Sequence, residues 1–236
     1  MINTILFDLD ATVLPMDMDT FVKHYFGEMA KYFHDLIDGR LLAKHVMTCT
    51  EIMVKNLEDR SNEEVFFEHF KTLIDGDVKV YQDRFDSFYD AGFLNAKAAT
   101  HKSEPMVKAV KLLQQKGYML VLATNPLFPM KANHHRVRWA GLTPEDFSYI
   151  SSIEKNHYCK PNLDYYREVL SAIDKTPQEC MMVGNDALED MIVAQLGVKT
   201  YLIEDHMLNK HGLEIKADER GRYVDFLSFV ENLPTL

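Results

Sequence analysis

The chain has 236 residues, room for one compact unit or a core with a modest insertion and too little for several large domains. With 47% hydrophobic and 26% charged residues, its composition excludes a disordered or collagen-like chain. The 26 Lys and Arg against 36 Asp and Glu give a formal charge of −10, which speaks against a sequence-independent grip on nucleic acid phosphates or an anionic membrane.

Ile5, Leu6 and Phe7 form a continuous apolar run that stops in acid at Asp8, the pattern of a strand buried on both faces of a parallel sheet. No basic stretch precedes this run, so no secretory signal is visible. Residues 16–104 then contain no proline and half of the chain's aromatic side chains. Phe21, Val22, Tyr25, Phe26, Met29, Phe33, Leu36 and Ile37 trace one helical face, and Leu42, Val46, Cys49, Ile52 and Met53 trace another. Two more helical patterns follow at 63–74 and 78–93.

From residue 105 the rhythm changes. Pro105 suits a first helical turn, Val107, Val110 and Leu113 keep helical spacing, and Gly117 stops the pattern. An apolar run at 118–123 ends at Thr124, another at 181–183 ends at Gly184, and a third at 199–203 ends at Glu204. Helical patterns lie between and around them at 130–140, 162–173 and 188–196. Strands alternating with helices predict an α/β chain with a doubly wound, Rossmann-like parallel sheet covered on both faces. The aromatic block interrupts that alternation and reads as an inserted, mostly α-helical subdomain. The expected boundaries are 1–14 and 105–236 for the α/β core and 15–104 for the insertion.

Cys49, Cys159 and Cys180 stand far apart with no CxxC, so neither a disulfide framework nor a zinc knuckle is suggested and a reducing compartment fits. No apolar stretch approaches the roughly 20 residues that cross a bilayer. Together these features lead us to expect a cytoplasmic protein that binds neither membrane nor nucleic acid. Oligomeric state has no signal in the sequence, a monomer being the default.

Ligands of open parallel sheets bind beyond the carboxyl ends of the strands. Those ends carry Asp8, Asp10 and Thr12, then Thr124 and Asn125, then Asn185, Asp186, Glu189 and Asp190. A lone carboxylate there is usually a turn former or helix cap. Several that converge would repel one another unless a cation were present, and an all-oxygen cluster suits Mg²⁺.

The string FDLDATV at 7–13 resembles the first motif of the haloacid dehalogenase superfamily, Asp-x-Asp-x-Thr after a strand. Thr124 after its strand, Lys160 in CKPN, and VGNDALED at 183–190 resemble the second, third and fourth motifs, in the family's order. The likeness covers residues 1–14 and 105–204. The inserted block resembles the family's helical caps in position and type.

This resemblance implies a Mg²⁺-dependent phosphatase acting on a small phosphorylated metabolite. Asp8 would attack phosphorus and form an aspartyl phosphate. Asp10 would protonate the leaving oxygen and then activate water. Thr124, Asn125 and Lys160 would bind the phosphoryl group, Lys160 also neutralising charge on the nucleophile. The metal would sit on the Asp8 carboxylate, the Asp10 backbone carbonyl and an acid of the fourth motif. Two registers exist for that acid, Asp186 with Asp190 or Asn185 with Glu189. Asp186 is preferred as the direct ligand because a carboxylate binds Mg²⁺ better than an amide oxygen, with Asn185 and Asp190 behind it. Position 11 holds Ala where the family most often has Gly, a minimal intrusion into the turn after Asp10.

Other candidates carry less. His134 and His135 point about 100° apart on a helix and cannot share a metal. Cys159 reads as a small packing group. Asp17, Asp19, Lys23 and His24 could touch substrate but fit a helix start with surface charges better. Phosphonate cleavage, which in this superfamily relies on a cap lysine, leaves Lys23, Lys31 and Lys44 open. A mutase, a dehalogenase or a catalytically silent binding module are the remaining alternatives, and the retained Asp10 speaks against the dehalogenase.

Overall fold

The computed structural model describes residues 1–236. Six parallel strands, β1 (Thr4–Phe7), β2 (Met119–Leu122), β3 (Tyr149–Ile150), β4 (Cys180–Gly184), β5 (Lys199–Ile203) and β6 (Glu219–Gly221), form one sheet in the order β3-β2-β1-β4-β5-β6. Thr4 lies opposite both Met119 and Cys180, so β1 is enclosed by β2 and β4. This is the doubly wound arrangement expected from the sequence, with β3 and β6 added at its edges.

The apolar run of β1 divides between two cores. Ile5 and Phe7 join a 46-residue cluster on one face of the sheet, and Leu6 joins an 11-residue cluster with Val121, Tyr165, Tyr166 and Met182 on the other. Both faces of the strand are therefore apolar, which is why the sequence shows no polar alternation.

Between β1 and β2 lie α1 (Met18–Tyr32), α2 (Gly39–Val54), α3 (Asn62–Phe70), α4 (Val78–Asp90), a 3₁₀ stretch at Gly92–Ala99 and α5 (Glu104–Gln115). Asp17 caps α1 by accepting from the Thr20 N–H at 2.8 Å, and Ser61 with Glu64 forms a capping box on α3. Phe21, Tyr25, Phe33, Phe85 and Phe88 interlock in the middle of this block, Phe33 and Phe85 with ring centroids 4.7 Å apart. These side chains belong to the same contiguous cluster as Ile5 and Phe7. The two connections to the block run side by side, the His101 N–H donating to the Pro15 carbonyl at 3.0 Å beside an antiparallel bridge between Met16 and Thr100.

The remaining helices are α6 (Met130–Trp139), α7 (Leu163–Ala172) and α8 (Tyr223–Asn232). The expected helix at 188–196 is instead a 3₁₀ stretch at Met191–Leu196. Its preceding residues are bent by Asp186, whose Oδ1 accepts from the Leu188 and Glu189 N–H groups at 2.8 and 2.9 Å. No helix is long and apolar enough to cross a membrane.

Candidate functional site

The chain leaves β1 at Asp8, whose N–H donates to the Val183 carbonyl at 2.9 Å, so the ladder of β4 fixes the residue's backbone. A tight turn follows. Ala11 has φ of 61° in the left-handed region, and the turn is held by Ala11 N–H to Leu14 carbonyl and Leu14 N–H to Leu9 carbonyl, both at 2.8 Å. Tyr223 of α8 donates its hydroxyl to the Ala11 carbonyl at 2.9 Å. The methyl of Ala11 is thus tolerated where the resembled motif usually has glycine, in a turn clamped from three sides.

Asp8, Asp10, Thr124, Asn125, Asn185, Asp186, Glu189 and Asp190 all line one cavity of about 1200 Å³ at the carboxyl ends of β1, β2 and β4. Lys160 is 1% exposed and reaches Asp8 Oδ1 at 3.0 Å and Asp190 Oδ1 at 2.6 Å. Burial alone would push its ammonium down, but the Asp190 and Asp8 carboxylates outweigh that and hold it well above the ordinary lysine range. Lys160 therefore stays charged. The Lys160–Pro161 peptide is cis.

Which oxygens remain available can be read from the hydrogen bonds. Asp190 has neither to spare, since its Oδ2 accepts from the Asp186 N–H at 2.9 Å while its Oδ1 holds Lys160. Asn185 is equally engaged, its Oδ1 accepting from the Thr12 hydroxyl at 3.1 Å and its amide donating to the His206 carbonyl at 2.7 Å. Asp8 Oδ2 and Asp186 Oδ2 accept no hydrogen bond from the protein, and the Thr124 hydroxyl makes none. Gly184 sits where a Cβ would lie 2.2 Å from Asp190 Oδ2, so the close approach of this carboxylate requires glycine there.

Asn125 uses its side chain to hold the neighbouring loops. Its Oδ1 accepts from the Lys160 N–H at 3.2 Å and its amide donates to Glu189 at 3.0 Å, whereas its backbone N–H has no acceptor within the chain. Burial pushes the Glu189 carboxyl above the usual range. Tyr165 donates to the Thr124 carbonyl at 2.8 Å and Tyr166 to the Glu189 carbonyl at 2.6 Å, so two hydroxyls of α7 fix the loops after β2 and β4.

Arg136 of α6 is fully buried and pairs with Asp10 Oδ2 and Asn133 Oδ1. Its guanidinium lies 4.2 Å from the Phe128 ring centroid. Asp10 Oδ1 is buried without a partner. Burial raises the Asp10 carboxyl, Arg136 opposes that rise, and the net direction is up. The sequence reading passed over Arg136, although a signal existed. It falls on the buried stripe of α6 formed by Ala132, Asn133 and Val137, where a lone basic residue needs a carboxylate partner.

Several candidates lie elsewhere. No three His, Cys, Asp or Glu side chains gather closely enough to hold a metal by themselves. Asp17 serves as a helix cap, and of Lys23, Lys31 and Lys44 none lines the cavity, Lys31 pairing with Glu28 at 2.5 Å. Cys159 is buried, and burial pushes its thiol up, away from the thiolate form.

A family model described as haloacid dehalogenase-like hydrolase matches residues 2–196. A curated D-glycero-beta-D-manno-heptose-1,7-bisphosphate 7-phosphatase of Haemophilus ducreyi is 27% identical over 154 residues, covering 54% of this chain and 83% of the relative. Among solved structures, a HAD phosphatase from Thermococcus onnurineus superposes with a TM-score of 0.61 at 15% identity, covering 100% of both chains. An L-2-haloacid dehalogenase from Xanthobacter autotrophicus does so with a TM-score of 0.61 at 14% identity, covering 99% of this chain and 100% of that one. At such identities the structural likeness is one of fold.

Proposed function

The chain belongs to the haloacid dehalogenase-like hydrolases, and from that premise we propose that it is a Mg²⁺-dependent phosphatase acting on a phosphate monoester of a small molecule through an aspartyl phosphate on Asp8. The observation that carries this reading is the partition of oxygens at the strand ends. Asp8 and Asp186 each keep one carboxylate oxygen free of protein contacts in the same cavity, and Asp190 and Asn185 keep none.

In this reading Asp8 Oδ2 attacks phosphorus while Lys160, fixed on Oδ1, offsets the charge of nucleophile and phosphate. The Thr124 hydroxyl and the Asn125 backbone N–H donate to phosphoryl oxygens. Arg136 binds Asp10 through Oδ2, leaving Oδ1 to carry the proton that goes to the leaving oxygen, and burial, which raises the Asp10 carboxyl against the pull of Arg136, favours the protonated form. The carboxylate then accepts a proton from the water that hydrolyses the aspartyl phosphate. The donor set fits a hard divalent cation, which the Asp8 carboxylate, the Asp10 backbone carbonyl and Asp186 would hold, with Asp190 and Asn185 supporting the loop. Bound Mg²⁺ would supply the positive charge that admits a dianion to a site where carboxylates outnumber the single lysine.

Residues 15–104 would act as a cap domain on a core of 1–14 and 105–236, hinged at the paired connections near Pro15 and His101. A dehalogenase has no comparable use for a proton-bearing Asp10, and a phosphonate-cleaving enzyme would need a free cap lysine in the cavity, where Lys23, Lys31 and Lys44 do not reach and Lys79 is paired with Asp83. The test is phosphate release from an aryl phosphate with Mg²⁺, with EDTA, and after Asp8→Asn. Turnover that needs both the metal and Asp8 supports the reading. Absence of turnover across a broad panel of phosphorylated metabolites would sink it.

A further inference from the structure

Resting on the phosphatase reading, the walls of the same cavity say what kind of ester it takes. A volume of about 1200 Å³ exceeds what a phosphoryl group alone requires, so most of the space must receive the body of the substrate. Away from the aspartates that space is faced by Val22 and Phe26 of α1, Met47 of α2, Phe67 of α3, and Leu127 and Phe128 of the loop after β2. Val22 and Met47 are 41% and 54% exposed, large apolar side chains turned onto a concave surface that no protein group covers. Apolar surface of this kind, rimmed by charge, marks a ligand groove.

Among the polar groups of these walls, the Tyr25 and Tyr89 hydroxyls bond to each other at 2.9 Å and the Thr50 hydroxyl donates to the Val46 carbonyl at 2.8 Å, while Gln82 and His134 line the cavity without protein partners. The lining cations are mostly committed. Lys79 pairs with Asp83 at 2.6 Å and Lys131 with Asp86 and Asp90 at 2.5 and 2.9 Å, which leaves Lys210 as the lining lysine without an ion-pair partner. Glu51, Glu63 and Glu154 add further negative charge to the walls. A second phosphate would meet repulsion with little to offset it.

We propose that the substrate is a monophosphate ester of an apolar alcohol, an aromatic or branched hydrocarbon body with no second anionic group, rather than a sugar phosphate or bisphosphate. Phe128 joins the two halves of the site, since its ring packs on the guanidinium that holds Asp10 and also lines the apolar wall.

The experiment compares esters of primary alcohols with similar leaving groups: 3-phenylpropyl phosphate, glucose 6-phosphate, fructose 1,6-bisphosphate and phosphocholine. kcat/KM is measured with Mg²⁺, and binding to the Asp8→Asn protein is measured by calorimetry. The apolar ester is expected to lead both sugar esters by about 30-fold or more in kcat/KM and by about tenfold or more in Kd, as burying one or two aliphatic groups allows. In Val22→Thr/Met47→Gln, whose sites are exposed enough to spare the fold, the ratio of kcat/KM for 3-phenylpropyl phosphate over glucose 6-phosphate should fall about tenfold. Sugar esters turned over and bound as well as the apolar ester overturn the inference and leave the phosphatase reading intact, and preferred binding of phosphocholine overturns it too. Selective binding of the apolar ester without turnover of any ester defeats the phosphatase reading and upholds the cavity assignment.

Discussion

Replacing Arg136 by methionine removes a charge from the interior while roughly filling its stem. Three groups lose a partner together: Asp10 Oδ2, Asn133 Oδ1 and the face of Phe128. Breaking a buried ion pair by deleting one member costs about 3–5 kcal/mol. The lower end applies here, because the Asp10 side chain keeps 18% exposure and can take up a proton. We therefore expect about 3 kcal/mol of destabilisation near neutral pH, a fall in Tm of roughly 6–12 °C for a chain of this size. The sign of the pH dependence follows from the same pair. Without Arg136 the Asp10 carboxyl rises further, so the folded variant binds a proton more readily than the unfolded chain, and the loss shrinks as pH falls. Urea unfolding of the single variant and of Arg136→Met/Asp10→Asn, at neutral and acid pH, checks this. The double variant should recover about half of the loss. A loss under about 1 kcal/mol, or a double variant no more stable than the single one, would refute the account of Arg136 as the buried counter-charge of Asp10.

Asp186→Ala should raise the Mg²⁺ concentration for half-maximal activity by about 10- to 100-fold, whereas Asp190→Asn should mainly lower stability and kcat; magnesium titrations of both decide which is the ligand. Ala11→Val places a branched side chain at φ of 61° in a buried turn and should cost about 2–4 kcal/mol, read by thermal unfolding. Arg84 clasps Asp35 through two bonds at 2.6 and 2.9 Å, holding that carboxyl down to about 2, so its contribution is present above the ordinary aspartate range and lost as pH falls toward 2. Asp35→Asn should therefore flatten the acid limb of a stability profile, and an unchanged limb would count against the pair.

Strands β1, β2, β4 and β5 were legible because each is an apolar run ending abruptly, the mark of burial on both faces. Strand β3 has two residues and β6 reads Glu-Arg-Gly, too short or too polar to carry any period. Helix α8 was readable in Tyr223, Phe226 and Val230 but went unread. At the site, the aspartates and Lys160 announce themselves because charged residues stand where apolar runs stop. The groups that hold them do not. Tyr165, Tyr166 and Tyr223 look like core aromatics in sequence, and only the fold reveals that their hydroxyls end on the backbones of Thr124, Glu189 and Ala11. Arg136 was hidden by the more conspicuous histidines beside it.

The central place of β1 has a consequence for how the enzyme comes into being. The stretch of sheet that emerges earliest from the ribosome is the one carrying Asp8, yet its flanking strands begin at residues 119 and 180. Until both have been synthesised, Asp8 lacks the ladder that fixes its backbone, and the cluster of Lys160 and Asp190 beside it is incomplete. In the proposed mechanism, a nascent chain that stops short of β4 lacks the assembled site, so activity can begin only late in translation.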